Sequence, residues 1–235
     1  MLVTDIRGWT DLDPNSRFRN AAPNVIISAD AIANGEYDSL LGDIFTGGME
    51  RNVIYDDGTS KFHLTLTLYV HPVGAGALDI DPSNTVGLAN HNGKLLAEDG
   101  DYAYDGHGNH LIAGALLSHY TATSSFIGSS TAQQPVWATS LAEGDAIWLV
   151  RRGEYELKTG TGSIAQYNRI VADESTTGGV TGCVRTAGTA VATMVQIRET
   201  ITGYGGDCVG IALVNDGAEG ALVRCKLDLP PRIRR

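Results

Sequence analysis

The chain is short of the features that usually mark chemistry. Cysteine is scarce: Cys183, Cys208 and Cys225 are the only three in 235 residues. Their number is odd, their spacing is wide and no Cys-x-x-Cys occurs, which argues against a disulfide framework and against a zinc knuckle. Long apolar runs are missing too. None approaches the roughly 20 residues a membrane helix needs, so no membrane partner is expected. Thr4-Asp5-Ile6-Arg7 interrupts any apolar run at the start, so no secretory signal is expected either. Positive charge is in deficit, with 17 Lys and Arg against 27 Asp and Glu and a net charge of −10. Such a chain repels phosphate backbones, which argues against nucleic acid as a partner. No histidine follows His119.

Catalytic motifs are equally sparse. No His-Glu-x-x-His and no Gly-x-Ser-x-Gly is present. Gly160-x-Gly162 and Gly203-x-Gly205-Gly206 are not phosphate-binding loops and read as β-turns. The 99–110 loop collects Asp99, Asp101, Asp105, His107, Asn109 and His110. Oxygen ligands in a glycine-rich loop suit calcium, but the spacing is not that of an EF-hand and the loop reads as turns. The expectation is therefore no catalytic residue, no metal, no cofactor and no enzymatic activity. A small hydrolase using Asp105 and His107 is the dissenting reading.

What is abundant is glycine, 29 residues scattered without a period of three, between short apolar runs. That pattern favours a turn-rich β protein. Residues 52–55 and 62–70 read as a hairpin around Asp56-Asp57-Gly58-Thr59. In the second run Phe62, Leu64, Leu66, Leu68 and Val70 share one face, and His63, Thr65, Thr67 and Tyr69 the other. A short strand at 25–28 and a short helix within 29–41 precede it. Residues 110–120 fit a strand or a helix. Further on, Gly144-Asp145-Ala146-Ile147-Trp148-Leu149-Val150 reads as a strand, Arg151-Arg152-Gly153 as a polar turn, and Glu154–Lys158 as the next strand. Residues 190–201 alternate again. At the end Ala221, Val223, Cys225 and Leu227 alternate with Leu222, Arg224, Lys226 and Asp228, and Cys225 reads as a small buried thiol. The expected layout is mainly β. An extended arm covers 1–24, a β-rich N-terminal domain 25–130, and a small β-barrel or sandwich with a basic tail 131–235. The arm (Trp9, Arg17, Phe18, Arg19) and the tail (Arg232, Arg234, Arg235) are the candidate interaction residues.

The second half carries an ordered series. It runs from Gly144–Val150 through Gly160-Thr161-Gly162-Ser163-Ile164-Ala165 and Asn168-Arg169-Ile170-Val171-Ala172-Asp173. Gly178-Gly179-Val180, Val209-Gly210-Ile211-Ala212-Leu213 and the strand after Glu219-Gly220 complete it. Over roughly residues 136–229 this order resembles the small β-barrel domain of tailed-phage capsid decoration (cement) proteins. In that family a Gly-Glu pair precedes the last strand, where this chain has Glu219-Gly220. The resemblance implies a virion protein on the outer capsid surface, assembled in the host cytoplasm. It implies the major capsid protein and other copies of itself as partners, in a homotrimer at threefold or quasi-threefold sites. The runner-up is a phage fibre or carbohydrate- or receptor-binding β module, which Trp137, Trp148 and the nine tyrosines keep open.

Overall fold

A computed structural model describes residues 10–11, 25–33, 50–56, 61–81, 91–103, 111–117, 121–122, 138–173, 180–187, 208–215 and 218–229. Within them the chain is mainly β, and the strand pairing is almost wholly antiparallel. The first elements are β1 (Thr10–Asp11), β2 (Val25–Ile26), the short helix α1 (Ala29–Ala33), β3 (Glu50–Asp56) and β4 (Lys61–Val70). β3 and β4 form the hairpin read from the sequence, with Val53 opposite Leu64 and Asn52 opposite Thr65. Phe62, Leu64, Leu66 and Leu68 are buried on the expected face, while His63 is exposed. The other face does not stay open, however. Thr67 and Tyr69 are 1% exposed, because this end of β4 is covered on both sides.

Next come β5 (Leu78–Asp79), β6 (Leu95–Ala97), β7 (Ile112–Leu116), β8 (Thr121–Ala122) and β9 (Ser140–Leu141). Residues 112–116 resolve the helix-or-strand ambiguity as strand: β7 lies between β6 and the next element, which leaves no room for helical side chains. That next element is β10 (Ala146–Lys158), a 13-residue strand that organises the sheet. On one edge it pairs with β4 from Ala146 opposite Val70 to Gly153 opposite Leu64. On the other edge it pairs first with β7, at Leu149 and Val150, and then with β14 (Leu222–Asp228) from Arg152 onward.

Arg151-Arg152-Gly153, expected as a turn, is instead the middle of β10. Val150 faces Leu66 and Arg152 faces Thr65, so Arg151 is the extra residue of a β-bulge. Gly153 sits at φ 114°, and a Cβ there would collide with the His63 carbonyl. Two arginines and a glycine resemble a turn in sequence, yet the bulge uses the same residue types to bend a strand without ending it.

β11 (Arg169–Ala172), β12 (Val184–Thr186) and β13 (Gly210–Ala212) complete the sheet in the order β1-β3-β4-β10-β14-β13-β11-β12. The described pairings leave β1 and β12 at the two ends, so this is an open sheet and not the closed barrel expected. Closure would need a continuous ladder between end strands, and among the described residues β12 meets the end of β10 only through the Thr159–Val184 bridge and the Gly160 N–H donating to the Val184 carbonyl at 2.8 Å. Val223, Cys225 and Leu227 are buried as their alternation predicts, and all three cysteines are free. The core is centred on Trp148, Tyr69, Leu66, Leu149 and Ile147, each 1% exposed or less. At about 25 cal/mol per Å² of apolar surface removed from water, such residues supply most of the driving force.

The expected boundary between residues 130 and 131 lies outside the described residues. So do most of the 1–24 arm and the alternating 190–201 segment. β10 hydrogen-bonds to strands from both sides of that boundary.

Candidate functional site

The 144–229 series yields a specific surface. Hydrogen bonding places its motif strands side by side, in the order β10-β14-β13-β11. Across them Glu154 faces Lys226, Lys226 faces Ile211, and Ile211 faces Arg169. Directly opposed residues in an antiparallel sheet project from the same face. All four side chains are exposed, with Ile211 at 42%. An apolar side chain thus lies between two cations on a chain whose net charge is −10.

At the end of this row the chain turns at 165–168 and again at 213–215. Tyr167 is held at φ 68°, the left-handed region that a bulky residue rarely enters, and it is 74% exposed. Its N–H donates to the Ala212 carbonyl at 2.8 Å, and the Ala212 N–H donates to the Asn168 carbonyl at 3.0 Å. The Gln166 N–H donates to Asn215 Oδ1 at 2.8 Å, and Gln166 Nε2 to the Leu213 carbonyl at 2.9 Å. These bonds fix the turn, so a strained aromatic is presented to solvent from a firm base. Val214, at 42% exposure, stands on the facing turn. Sequence reading missed this surface. Its one signal is Ile211, apolar on the outward register of a strand that also carries Gly210 and Ala212.

A second set of polar groups is interior. Lys94 and Lys158 are each 3% exposed, and Cys183 and Asp173 are fully buried. Burial pushes both lysine ammonium groups below their ordinary range. Burial also pushes the Cys183 thiol up to about 11, against the pull of the two lysines. Lys94 Nζ lies 5.1 Å from the centre of the Tyr102 ring, whose hydroxyl donates to the Asp79 carbonyl at 2.7 Å. Asp173 Oδ2 accepts from the Thr161 N–H at 2.6 Å and from its hydroxyl at 2.8 Å, closing the Gly160-Thr161-Gly162 turn. Covered from solvent, this cluster ties β6, β10 and the 180–184 segment together and acts on the fold.

The candidate residues Trp9, Arg17, Phe18, Arg19, Arg232, Arg234 and Arg235 lie outside the described residues. Of the 99–110 loop, Asp99 and Asp101 are exposed on a turn after β6, whereas Asp105, His107, Asn109 and His110 lie outside. Among the described residues no group of three or more His, Cys, Asp or Glu is placed to hold a metal ion. No described helix is long and apolar enough to cross a membrane.

No family model, curated protein or solved structure matches this chain.

Proposed function

We propose that this chain is a capsid decoration protein, a structural component of a phage virion with no reaction to perform. It binds the major capsid protein on the outer surface of the head and stabilises the shell as a homotrimer. The arm residues Trp9, Arg17, Phe18 and Arg19 and the tail residues Arg232, Arg234 and Arg235 make the shell contacts. The described strands of the C-terminal module expected over 131–235 belong to an open sheet in place of the closed barrel.

One observation carries the reading. Four of the segments that resemble the decoration family, dispersed over about 90 residues of sequence, form the adjacent strands β10, β14, β13 and β11, and Gly160–Ala165 follows β10 outside any strand. The charge supports the role as well, since −10 favours solubility before the protein meets a shell. Repeated modest contacts at a symmetry axis then add up to firm attachment.

The exposed Tyr167 ring favours one other reading, a fibre or carbohydrate- or receptor-binding module, because aromatic faces stack on sugar rings. Cosedimentation separates the two. A decoration protein pellets with expanded empty capsids and stays in the supernatant with procapsids. Binding to glycans with no affinity for either shell establishes the binding module and removes decoration.

A further inference from the structure

Two ends of this molecule complement each other. At the Ala146 end of β10 the 71–76 loop carries Val73 at its tip, 85% exposed. The loop is fixed to the sheet, because the His71 N–H donates to the Asp145 carbonyl at 2.8 Å and His71 Nε2 donates to the Gly76 carbonyl at 2.6 Å. The Gly76 N–H donates to Glu143 Oε1 at 2.9 Å. The neighbouring 98–101 turn packs on the loop, with Gly100 against Ala75, His71 and Pro72. Asp99, Asp101 and Glu143 are exposed around it. Hydrogen bonds from the Gly74 and Gly76 backbone hold the Glu143 carboxyl below its ordinary range, so it is anionic at neutral pH. The result is an apolar tip on a firm loop flanked by carboxylates.

The other end has the inverse pattern. Ile211 lies between Arg169 and Lys226, with Tyr167 and Val214 on the adjoining turns. The two surfaces are on the order of 25 Å apart along β10, at about 3.3 Å per residue from Ala146 to Glu154. Both are held by backbone hydrogen bonds, so the acidic loop cannot fold onto the cationic face of its own chain. A partner has to supply it. Two cations around one apolar side chain suit a short acidic loop with an apolar tip, and the chain itself carries such a loop.

We propose that the Val73 loop of one copy seats on the Arg169–Ile211–Lys226 face of the next, head to tail. Val73 meets Ile211, Val214 and Tyr167, and the carboxylates meet the two cations. The contact is heterologous, each copy using both surfaces once, and it closes into a ring where the rotation between copies permits. This rests on the reading of the chain as a structural protein working in several copies, and it names the surfaces through which the copies meet.

The test is the mass of the full-length chain by sedimentation velocity over a range of concentration and salt. The wild type sediments above its 24.8 kDa monomer mass, and less so as salt rises. Arg169→Glu with Lys226→Glu raises the dissociation constant at least about tenfold, and so does Asp99→Lys with Asp101→Lys. Mixing the two variants restores association, because each then offers a charge-matched partner surface to the other. All four side chains face solvent, and the circular dichroism of every variant stays that of the wild type. Because Asp99 Oδ1 accepts the Asp101 N–H at 3.3 Å, the melt of the loop variant is read beside Asp99→Asn with Asp101→Asn, which keeps that acceptor. A wild type that is monomeric throughout overturns the proposal. So does either variant associating as the wild type does, or a mixture that stays monomeric. A monomer that still pellets with shells overturns only this inference. An associating chain without shell affinity supports it and overturns decoration instead.

Discussion

Arg151 Nη1 donates to the Ala113 carbonyl at 3.0 Å, both groups being buried. This bond spans the place where β7 leaves the edge of β10 and β14 takes over. Val150 still faces Ala115, Arg152 already faces Asp228, and the Arg151 carbonyl accepts from the Leu229 N–H at 3.1 Å. The bulge residue therefore joins two strands that β10 serves in succession. Arg151→Ala removes the donor and leaves a buried carbonyl without it, a loss of about 1–3 kcal/mol. Urea denaturation reads this as a lower midpoint with an unchanged slope.

Gly153 gives a second, independent check on the bulge. At φ 114° with the His63 carbonyl in the way, an alanine has both a strained backbone and a collision. Gly153→Ala is expected to cost about 2 kcal/mol or more, on the scale of strained-backbone substitutions. The same change at Gly162, where nothing lies within 4 Å of the added carbon, meets strain alone and costs less. Thermal melts of the two variants give the order directly.

Much of this sheet was legible in advance, and the reasons it was not legible throughout are local. The β4 and β14 strands show alternation because one face of each meets the core. Thr67 and Tyr69 broke the pattern because β4 passes between two covered sides, which a single strand's composition does not reveal. Arg151-Arg152-Gly153 resembles a turn because polar residues usually lie exposed, whereas Arg151 is 2% exposed. Tyr167 was invisible for another reason. Left-handed turns are signalled by glycine or asparagine, and here long-range bonds to Ala212 and the neighbouring turn impose the conformation.

Tyr167 should behave as a residue kept against the interests of stability. Tyr167→Gly relieves the left-handed strain and is expected to raise stability by about 1 kcal/mol. The same substitution removes the aromatic from the cationic face and weakens association between copies. A higher melting temperature together with a higher dissociation constant is the expected pair of results.

The buried thiols predict both labelling and pH dependence. Cys183 and Cys225 are fully covered, and burial pushes their thiols up to about 11 and about 12. The native chain should therefore react with a thiol reagent at Cys208 alone, which is half-buried, and at all three cysteines in denaturant. The unfolded Cys225 ionises near 9, whereas the folded one stays protonated to about 12. Its contribution to stability is thus complete below pH 9 and is lost as pH rises from 9 towards 12, at about 1.4 kcal/mol per unit. Lys94 and Lys158, with lowered values, act in the opposite direction as pH approaches the unfolded lysine value. The comparison that isolates the thiol is wild type against Cys225→Ala, whose stability difference should narrow as pH rises above 9.

The central claim is that this chain strengthens a shell made by another protein. The most direct measurement is the temperature at which expanded empty capsids come apart, followed by light scattering with and without saturating amounts of the full-length protein. Decoration predicts a disruption temperature several degrees higher with the protein bound, on the scale set by ligand binding to a folded assembly. An unchanged disruption temperature at saturating protein contradicts it.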